Sequence, residues 1–296
     1  MSVMPNAYHT PVLTQQVVDG LRVEAGGSYI DCTVGEGGHS LAILQASSPG
    51  GRILGIDLDP QALETAEVNL DAFRDLIILT NDNFSNLSAI AMEHGFYPVD
   101  GVILDLGLSS LQLEGEDRGF SFRSEDRLDM RFDPNQEITA WEIVNCYPEK
   151  ELTRIINTYG EEHRADRIAK KITENRPIDT SLQLASVVAS TPGHRWRRTH
   201  PATNTFQAIR MEVNGEQESL DMALSQAVSI LRSGGRLVVI SYHSLEDRMV
   251  KYFFRHESAE VKNVRVITKK VISPSREEVL TNKRSRSARM RVAERI

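Results

Sequence analysis

The sequence predicts an α/β fold in which a mostly parallel sheet domain is interrupted by a helical insertion. Three observations on the 296 residues support this. Short apolar runs alternate with helix-like segments over residues 1–112, the middle of the chain lacks convincing buried strands, and the alternation returns at residue 215. Strands that alternate with helices favour a parallel sheet built from right-handed crossovers. We therefore expect a discontinuous sheet domain, 1–112 and 215–296, and an inserted helical domain, 113–214.

Four apolar runs before residue 112 have the composition of buried parallel strands, because they are rich in Ile, Val and Leu and bounded by turn-forming residues. The helix between the second and third runs begins at Pro60, which suits a first helical turn. Ser85 is the expected N-cap of the next helix. The predicted strands are Ser28–Val34, Arg52–Asp57, Leu76–Leu79 and Gly101–Leu106, and the predicted helices are Gly38–Ala46, Pro60–Leu70 and Ser85–His94.

The insertion is predicted to be a charged loop followed by amphipathic helices. After it, the α/β pattern resumes and ends in two alternating segments. Within the last of these, Ala288, Met290 and Val292 should share one face of an edge strand, with Arg289 and Arg291 on the other face. The predicted elements are helices Ala140–Cys146, Lys150–Thr158, Glu162–Asn175, Leu182–Ala189, Glu216–Leu231 and Leu245–His256, strand Arg236–Ser241, and alternating segments Val261–Lys269 and Ala288–Glu294.

Charge is distributed unevenly along the chain. The net charge is −7, but residues 262–296 carry eleven Lys/Arg and three Glu, a local balance of +8, which leaves −15 for the rest. Such asymmetry indicates polyanion binding or a solvated basic tail. The two cysteines imply no disulfide framework, and no apolar run has the length of a membrane span. We expect a soluble cytoplasmic protein, and the sequence leaves its oligomeric state open.

The predicted strands deliver chemistry-bearing residues to one sheet edge. The first strand runs into a glycine-rich turn, DCTVGEGGHS, which begins at Asp31, and the second ends at Asp57, twenty residues after Gly37. The third is followed by Phe84, and the end of the fourth contains Asp105. In open α/β sheets a ligand lies beyond the carboxyl ends of the strands, and an acid at the second strand suits ribose hydroxyls. These features predict a nucleotide-like cofactor.

Both nicotinamide and methionine-type cofactors use a glycine turn and a ribose acid. Asp31, just before the turn, and Glu36, inside it, would repel a diphosphate, whereas a carboxylate attracts an ammonium or a sulfonium. The residues therefore favour S-adenosylmethionine, with a nicotinamide-dependent oxidoreductase as the alternative. No His/Cys cluster has the spacing of a metal site.

Several long motifs resemble a known family, the ribosomal RNA small subunit methyltransferase H family, and the resemblance runs from His9 to Arg295. The motifs are DCTVGEGGHS from Asp31, DLGLSSLQL from Asp105, DRGFSF from Asp117, LDMR from Leu128, HPAT from His200, TFQA from Thr205 and ISYHSLEDR from Ile240. Three positions depart from the family pattern: Asn204 stands where Arg is usual, Tyr242 where Phe is usual, and Lys283 where Pro is usual.

The resemblance implies a class I, Rossmann-like methyltransferase sheet with an inserted helical domain that recognises RNA. It implies transfer of a methyl group from S-adenosylmethionine to the N4 amine of a decoding-centre cytidine in 16S ribosomal RNA, in the cytoplasm. By motif position, it assigns cofactor contacts to Gly37, Gly38, His39, Asp57, Phe84, Asp105 and Gln112.

An exocyclic amine is a poor nucleophile because its lone pair is delocalised into the ring. Acceptors for its N–H groups would localise the lone pair and stabilise the developing charge. Asp105 and Ser109 are the catalytic candidates, because they follow the fourth strand; the alternative is that Asp105 serves the cofactor alone. The Asp/Asn-Pro-Pro-aromatic tetrapeptide of many amino-methylating enzymes is absent. His243 either faces the cleft or caps the following helix.

For RNA contact, the segment His194–Arg198 interleaves basic groups with Trp196, a composition that suits phosphate pairing and base stacking. The basic tail is the second candidate surface, although basic residues on an edge strand also deter aggregation. Asp129 and Arg131 either contact RNA or form a salt bridge within the loop, and the sequence favours neither interpretation. The expected partner is 16S RNA within the small ribosomal subunit, with a non-catalytic RNA-binding assembly factor as a further alternative.

Overall fold

The computed structural model describes residues 11–115, 118–192 and 200–296. The chain divides into two compact units. The sheet unit comprises residues up to 109 together with 218–296, and the helical unit comprises residues 110–217. The predicted insert, 113–214, lies within the helical unit. Among the described residues, no helix combines the length and the apolar character that crossing a membrane would require.

The sheet unit contains one seven-stranded sheet in the described part of the chain, with the strand order β3-β2-β1-β4-β5-β7-β6. The first five strands in this order are parallel, and β7 is antiparallel to both of its neighbours, β5 and β6. The fold is therefore the predicted α/β class. The strands are β1 Ser28–Asp31, β2 Arg52–Asp57, β3 Ile77–Asn81, β4 Val99–Asp105, β5 Leu231–Ser241, β6 Val264–Val266 and β7 Arg289–Arg295.

Helices connect these strands. Asp59 caps α3 by accepting a hydrogen bond from the Gln61 amide at 3.1 Å, and Pro60 occupies the first turn, as predicted. The helices of this unit are α1 Thr14–Leu21, α2 Gly38–Ala46, α3 Pro60–Asn69, α4 Leu87–Glu93, α11 Glu216–Ile230, α12 Ser244–His256 and α13 Arg276–Thr281; α11 begins two residues before the unit boundary.

The core of the sheet unit consists of two apolar clusters. One contains Ile30, Leu54 and Val102 with residues of α4, α11 and α12, and the other contains Tyr29, Ile53 and residues of α1, α2 and α3. Adjacent residues of each strand contribute to different clusters because successive side chains of a strand point to opposite faces. Burial on both faces explains why the strands read as continuous apolar runs.

The helical unit is built from amphipathic helices. α7 packs against both α8 and α10. Gly160, the last residue of α7, allows α10 to approach closely, since a Cβ at this position would lie 2.7 Å from the Asn204 carbonyl oxygen. α6 and α9 begin with capping boxes at Thr139 and Thr180. The helices are α5 Ser110–Glu114, α6 Ala140–Cys146, α7 Glu149–Gly160, α8 Ala165–Glu174, α9 Ser181–Ala189 and α10 Thr203–Asn214.

Three local predictions were wrong. β1 ends at Asp31 rather than Val34, because the Asp31 side chain accepts the Thr33 amide and turns the chain. Ser85 does not cap α4; Asn83 instead caps a short 3-10 turn, Phe84–Asn86, that precedes the helix. β7 is not an edge strand, because β6 pairs along its outer side. Its apolar face was predicted correctly, since Ala288, Met290 and Val292 are buried together.

Candidate active site

The carboxyl ends of β2, β1 and β4 place three aspartates at one edge of the sheet: Asp57, Asp31 and Asp105. Chain order reverses at this point, because β2 lies on one side of β1 and β4 lies on the other. Such a switch point is where open α/β sheets bind their ligands. Burial is the main cause that raises the pKa of Asp31 and of Asp57, and the charges of neighbouring carboxylates add to it: that of Asp105 acts on Asp31, and that of Asp31 acts on Asp57.

The glycine-rich turn between β1 and α2 is held together by Asp31. One carboxylate oxygen accepts the Thr33 amide at 3.2 Å, and the other accepts the Ser40 hydroxyl at 2.8 Å. Burial raises the pKa of Asp31, which is only 1% exposed. The structure thus gives this acid a role in folding the turn, and its predicted attraction for a cofactor ammonium stays a prediction.

Each position of the turn that is occupied by glycine has a different structural requirement. Gly37 has a φ of 88°, and a Cβ on it would lie 2.8 Å from Leu70. A Cβ on Gly38 would lie 2.5 Å from Pro11. Gly35 differs, because it has a φ of 51° and a Cβ on it would meet nothing nearer than the Thr33 carbonyl oxygen at 3.9 Å. The turn therefore has an open side at Gly35, where a ligand can approach the backbone closely.

Asp57 is fixed by backbone donors. Its Oδ2 accepts the Gly35 amide at 2.8 Å, and its Oδ1 accepts the Asp59 amide at 2.9 Å. The side chain is partly buried, and burial raises its pKa to about 6 against the opposing effect of the two backbone hydrogen bonds. A carboxylate offers about four lone-pair sites, so Asp57 can still accept two further donors such as ribose hydroxyls.

Asp105 is held from two sides. The Tyr242 hydroxyl, from the residue that follows β5, donates to Asp105 Oδ1 at 2.9 Å. On the other side, His39 Nε2 of α2 lies 3.3 Å from Asp105 Oδ2. The Asp105 amide also donates to the Thr33 hydroxyl at 2.7 Å. Asp105 thus joins the glycine turn, α2 and the end of β5, and its carboxylate remains one-fifth exposed.

His39 is a buried side chain with unsatisfied hydrogen-bonding capacity. Burial alone would lower its pKa, but the carboxylate of Asp105, with a contribution from Asp31, raises the pKa above the usual value. Neither ring nitrogen has a well-aligned hydrogen-bond partner among the described residues, and the ring is 6% exposed. A buried polar atom without a partner is destabilising, so a polar ligand at this position would be stabilised by the ring.

These features fit an adenosyl cofactor that carries a positive charge. Asp57 has acceptor capacity for ribose hydroxyls, the turn is open at Gly35, and His39 offers an unpaired ring nitrogen. The three coupled carboxylates favour a sulfonium and oppose a diphosphate.

Comparison with known proteins decides the family. The family model described as the MraW methylase family matches residues 6–296. The chain belongs to this family. Among curated relatives, "Ribosomal RNA small subunit methyltransferase H" of Dehalococcoides mccartyi is 50% identical over 97% of this chain and 86% of its own length. Proteins with the same description from Thermomicrobium roseum and Thermotoga neapolitana are 47% and 48% identical over 97% of this chain, and over 94% and 96% of their own lengths.

Solved structures resemble the chain more loosely. One of them, a SAM-dependent O-methyltransferase from Thermotoga maritima, has a TM-score of 0.43 and 11% identity, with coverage of 100% of this chain and 67% of that chain. Membership of the MraW methylase family confirms the predicted methyltransferase and its cofactor, S-adenosylmethionine. The oxidoreductase and the non-catalytic assembly factor are not favoured.

The remaining predicted site residues of this MraW family member are distributed over both units. Phe84, three residues after the end of β3, is partly buried and packs against the core. Ser109 is partly buried four residues after Asp105. Gln112 is buried in α5 of the helical unit. The structure thus brings His39, Asp57 and Asp105 together at one edge, and the cofactor contacts of all the predicted residues stay predictions.

His243 has a structural role in this methylase. It is the N-cap of α12, where its Nδ1 accepts the Glu246 amide at 3.4 Å while Glu246 accepts the amides of Tyr242 and His243. In the helical unit, Asp129 and Arg131 form a two-point ion pair at 2.9 and 2.7 Å, as the salt-bridge interpretation expected. The predicted RNA segment His194–Arg198 and Asp117 lie outside the described residues.

Two residues of the site were not given a role there from the sequence. Gly35 donates to Asp57, and its place inside the glycine turn was an available signal. Tyr242 binds Asp105 across 137 positions of sequence. Its position directly after the strand beside β4 was the available signal, because neighbouring parallel strands end at the same sheet edge.

Proposed function

We propose that this chain transfers a methyl group from S-adenosylmethionine to the exocyclic N4 amine of a cytidine in 16S ribosomal RNA. The observation that carries the proposal is the meeting of the glycine turn, Asp57 and Asp105 at one sheet edge in a chain of a methylase family. The small-subunit RNA substrate is supported by the names of relatives about half identical to the chain. The N4 position is supported by the motif resemblance.

The cofactor would lie along the carboxyl edge of β2, β1 and β4. Asp57 accepts the ribose hydroxyls with the lone pairs that Gly35 and Asp59 leave available. Gly37 and Gly38 let the turn pack closely against Leu70 and Pro11, and His39 presents an unpaired ring nitrogen to a polar group. Phe84 and Gln112 are further cofactor contacts that the motif resemblance implies. When bound, S-adenosylmethionine supplies an electrophilic methyl group on a sulfonium.

Asp105 and Ser109 act on the target amine. The Asp105 carboxylate accepts one N–H of the cytosine amine, which directs the nitrogen lone pair away from the ring and stabilises the positive charge that develops there. The N4 nitrogen would form its bond to the methyl carbon as the bond from that carbon to sulfur breaks, S-adenosylhomocysteine would leave, and the extra N4 proton would pass to water. The Ser109 hydroxyl accepts the other N–H of the same amine. Much of the acceleration comes from alignment of the two bound reactants, since no strong base is required.

The RNA partner is the small ribosomal subunit, in the bacterial cytoplasm. The helical unit serves as the RNA-recognition domain, with boundaries near 113 and 214, and the sheet unit as the S-adenosylmethionine domain. The target base must leave its stack to reach the sheet edge. The acidic edge itself does not suit phosphates, so the RNA backbone is held beside it.

The direct test incubates the protein with methyl-labelled S-adenosylmethionine and either small ribosomal subunits or free 16S RNA. Digestion and mass spectrometry then locate the label. We expect one N4-methylcytidine with one of the two substrates. The protein must first be shown by calorimetry to bind S-adenosylhomocysteine. If such protein then labels neither the small subunits nor the free 16S RNA, the proposed substrate is refuted and the cofactor assignment remains intact.

A further inference from the structure

A short cluster of cations lies beside the candidate active site. Residues 283–289, KRSRSAR, are called the basic segment here and contain four Lys/Arg and no acid. The segment forms a 3-10 turn, Lys283–Ser287, and continues into the first residue of β7. Lys283, Arg286 and Arg289 are exposed.

The sheet register determines where the basic segment lies. β7 runs antiparallel to β5, and Arg289 pairs with Ser241, the last residue of β5. One row further in, Met290 pairs with Ile240, which pairs with Asp105 on β4. Adjacent strands are about 4.8 Å apart, so the start of β7 lies roughly 10 Å from the Asp105 backbone. The basic segment therefore lies at the carboxyl edge, next to the site.

The basic segment is firmly anchored. Ser285 is fully buried, and its hydroxyl donates to the Asn282 carbonyl oxygen at 2.7 Å. The Ala288 amide donates to the Ser285 carbonyl oxygen at 2.8 Å, and Ala288 is buried in the core. The preceding helix, α13, is attached through Glu278, which accepts the Leu13 amide at 2.7 Å. The exposed cations thus project from an ordered turn, which lowers the entropy cost of binding.

Other cations of the C-terminal region have internal partners. Arg291 pairs with Asp247 at 2.7 Å, and both side chains are largely buried. Arg295 donates to the Val228 and Ser229 carbonyl oxygens, and Arg265 pairs with Glu294. The charge excess of the tail is therefore not a uniform basic surface. Arg289 shares Asp247 but stays 46% exposed, so the outward charge at this edge is concentrated in the basic segment.

We propose that the basic segment binds backbone phosphates of the RNA strand that flanks the target nucleotide. This inference rests on the proposed function. The coupled carboxylates at the sheet edge accept a base and a cationic cofactor but repel a phosphodiester. The chain must therefore hold the backbone just outside that edge, where Lys283 and Arg286 lie. Phosphate contacts of this kind set position and register rather than sequence preference.

The test compares two double variants that remove the same charge. Lys283→Ala with Arg286→Ala neutralises the basic segment. Arg74→Ala with Lys251→Ala is the matched control, because both side chains are exposed and lie outside the basic segment. Arg74 precedes β3, the outermost strand on the far side of the sheet, and Lys251 lies on α12. Affinity for a 16S RNA fragment is measured over a salt series, together with steady-state methylation and calorimetric binding of S-adenosylhomocysteine.

For the basic-segment variant we expect KM for RNA to rise about tenfold, with kcat and S-adenosylhomocysteine affinity unchanged. The slope of log affinity against log salt should become shallower by about 1.4, or about 0.7 for each phosphate that is no longer bound. The control should change RNA affinity by less than about twofold. Lys283→Gln with Arg286→Gln provides a second variant and should reproduce the first.

Three outcomes would overturn the inference. Equal reductions of RNA affinity in the two double variants would mean that only net charge matters. An unchanged salt slope would exclude the phosphate contact, and an effect confined to assembled subunits would point to a ribosomal protein instead. If the wild type methylates no RNA but the slope still responds only to the basic segment, the phosphate contact stands and the proposed function fails.

Discussion

The Tyr242 hydroxyl donates a hydrogen bond to Asp105 Oδ1 at 2.9 Å, which ties the residue after β5 to the last residue of β4. The Tyr242 ring also packs over the backbone of Gly107, where a Cβ would lie 2.9 Å from the ring. Burial, with the negative charge of Asp105, raises the pKa of the hydroxyl well above its usual value, so it stays a donor at neutral pH. Tyr242 therefore fixes the orientation of one Asp105 oxygen.

Tyr242→Phe should lower kcat about tenfold, because a hydrogen bond to a charged group contributes about 1.5–3 kcal/mol when its geometry matters. The ring packing on Gly107 is retained, so the free energy of unfolding should change by less than about 1 kcal/mol. KM for RNA should not move. Single-turnover methylation measures the effect, and Tyr252→Phe, on the exposed surface of α12, is the matched control. Equal rates for wild type and Tyr242→Phe would show that His39 alone positions Asp105.

Asp105→Asn separates a catalytic role from a cofactor role. The amide keeps the shape and can still accept from Tyr242, but it lacks the charge that stabilises the developing cation on the amine. We expect kcat to fall at least about 100-fold, while S-adenosylhomocysteine affinity changes less than about tenfold. A reduction of cofactor affinity as large as the reduction of rate would instead assign Asp105 to the cofactor alone.

Ser109→Ala should have a smaller effect than the Asp105 variant. The hydroxyl is one acceptor among several at this strand end, and backbone carbonyl oxygens remain when it is removed. We expect kcat to fall by about tenfold or less, with unchanged affinity for S-adenosylhomocysteine. Rapid-quench measurement of the methylated nucleotide provides the rate. A fall as large as that of Asp105→Asn would make Ser109 an equal partner in the chemistry.

Asp57→Ala should weaken cofactor binding by at least about 100-fold, because two ribose hydroxyls lose a charged acceptor worth about 1.5–3 kcal/mol each. Isothermal calorimetry with S-adenosylhomocysteine measures this. Asp59→Asn is the matched control, since Asp59 lies two residues away and caps α3, and an asparagine also caps. Similar reductions in both variants would attribute the effect to folding of the turn rather than to the ribose.

The sequence predicted those residues of the site whose positions follow directly from the ends of the strands. Asp57 and Asp105 were placed correctly because each lies at the end of an apolar run, and neighbouring parallel strands end at one edge of the sheet. The strand order itself was not predicted from the sequence. β7 enters between β5 and β6, so the final arginines meet Asp247 and carbonyl oxygens instead of facing solvent together.

Long-range partners explain the other differences. The N-cap of α1 is Leu13, which has a φ of 55° and offers no side-chain cap, and its amide donates to Glu278 from the far end of the chain. α10 also begins without a side-chain cap, so neither helix carried a start signal and neither was predicted. The Tyr242 contact with Asp105 likewise joins residues whose proximity depends on tertiary packing.

The raised pKa of Asp57 predicts how stability and cofactor binding depend on pH. The pKa rises from 3.8 to about 6 on folding. The folded state therefore holds the proton more tightly than the unfolded state, so this contribution to stability is present below about pH 4 and is lost as pH rises through 6. At about pH 7.5 the buried charge costs the cofactor-free protein up to about 3 kcal/mol.

Thermal unfolding of the wild type and of Asp57→Ala between about pH 4.5 and 7.5 tests this pH dependence. We expect the wild type to lose stability relative to the variant as the pH rises. Asp31 and His39 are present in both proteins, so their own titrations largely cancel in the difference. Ribose hydroxyls donate to the ionised carboxylate and should lower its pKa. Cofactor affinity of the wild type should accordingly increase as pH rises through 6. Parallel unfolding curves, or an affinity independent of pH in this range, would mean that Asp57 is already ionised in the free protein at about pH 5.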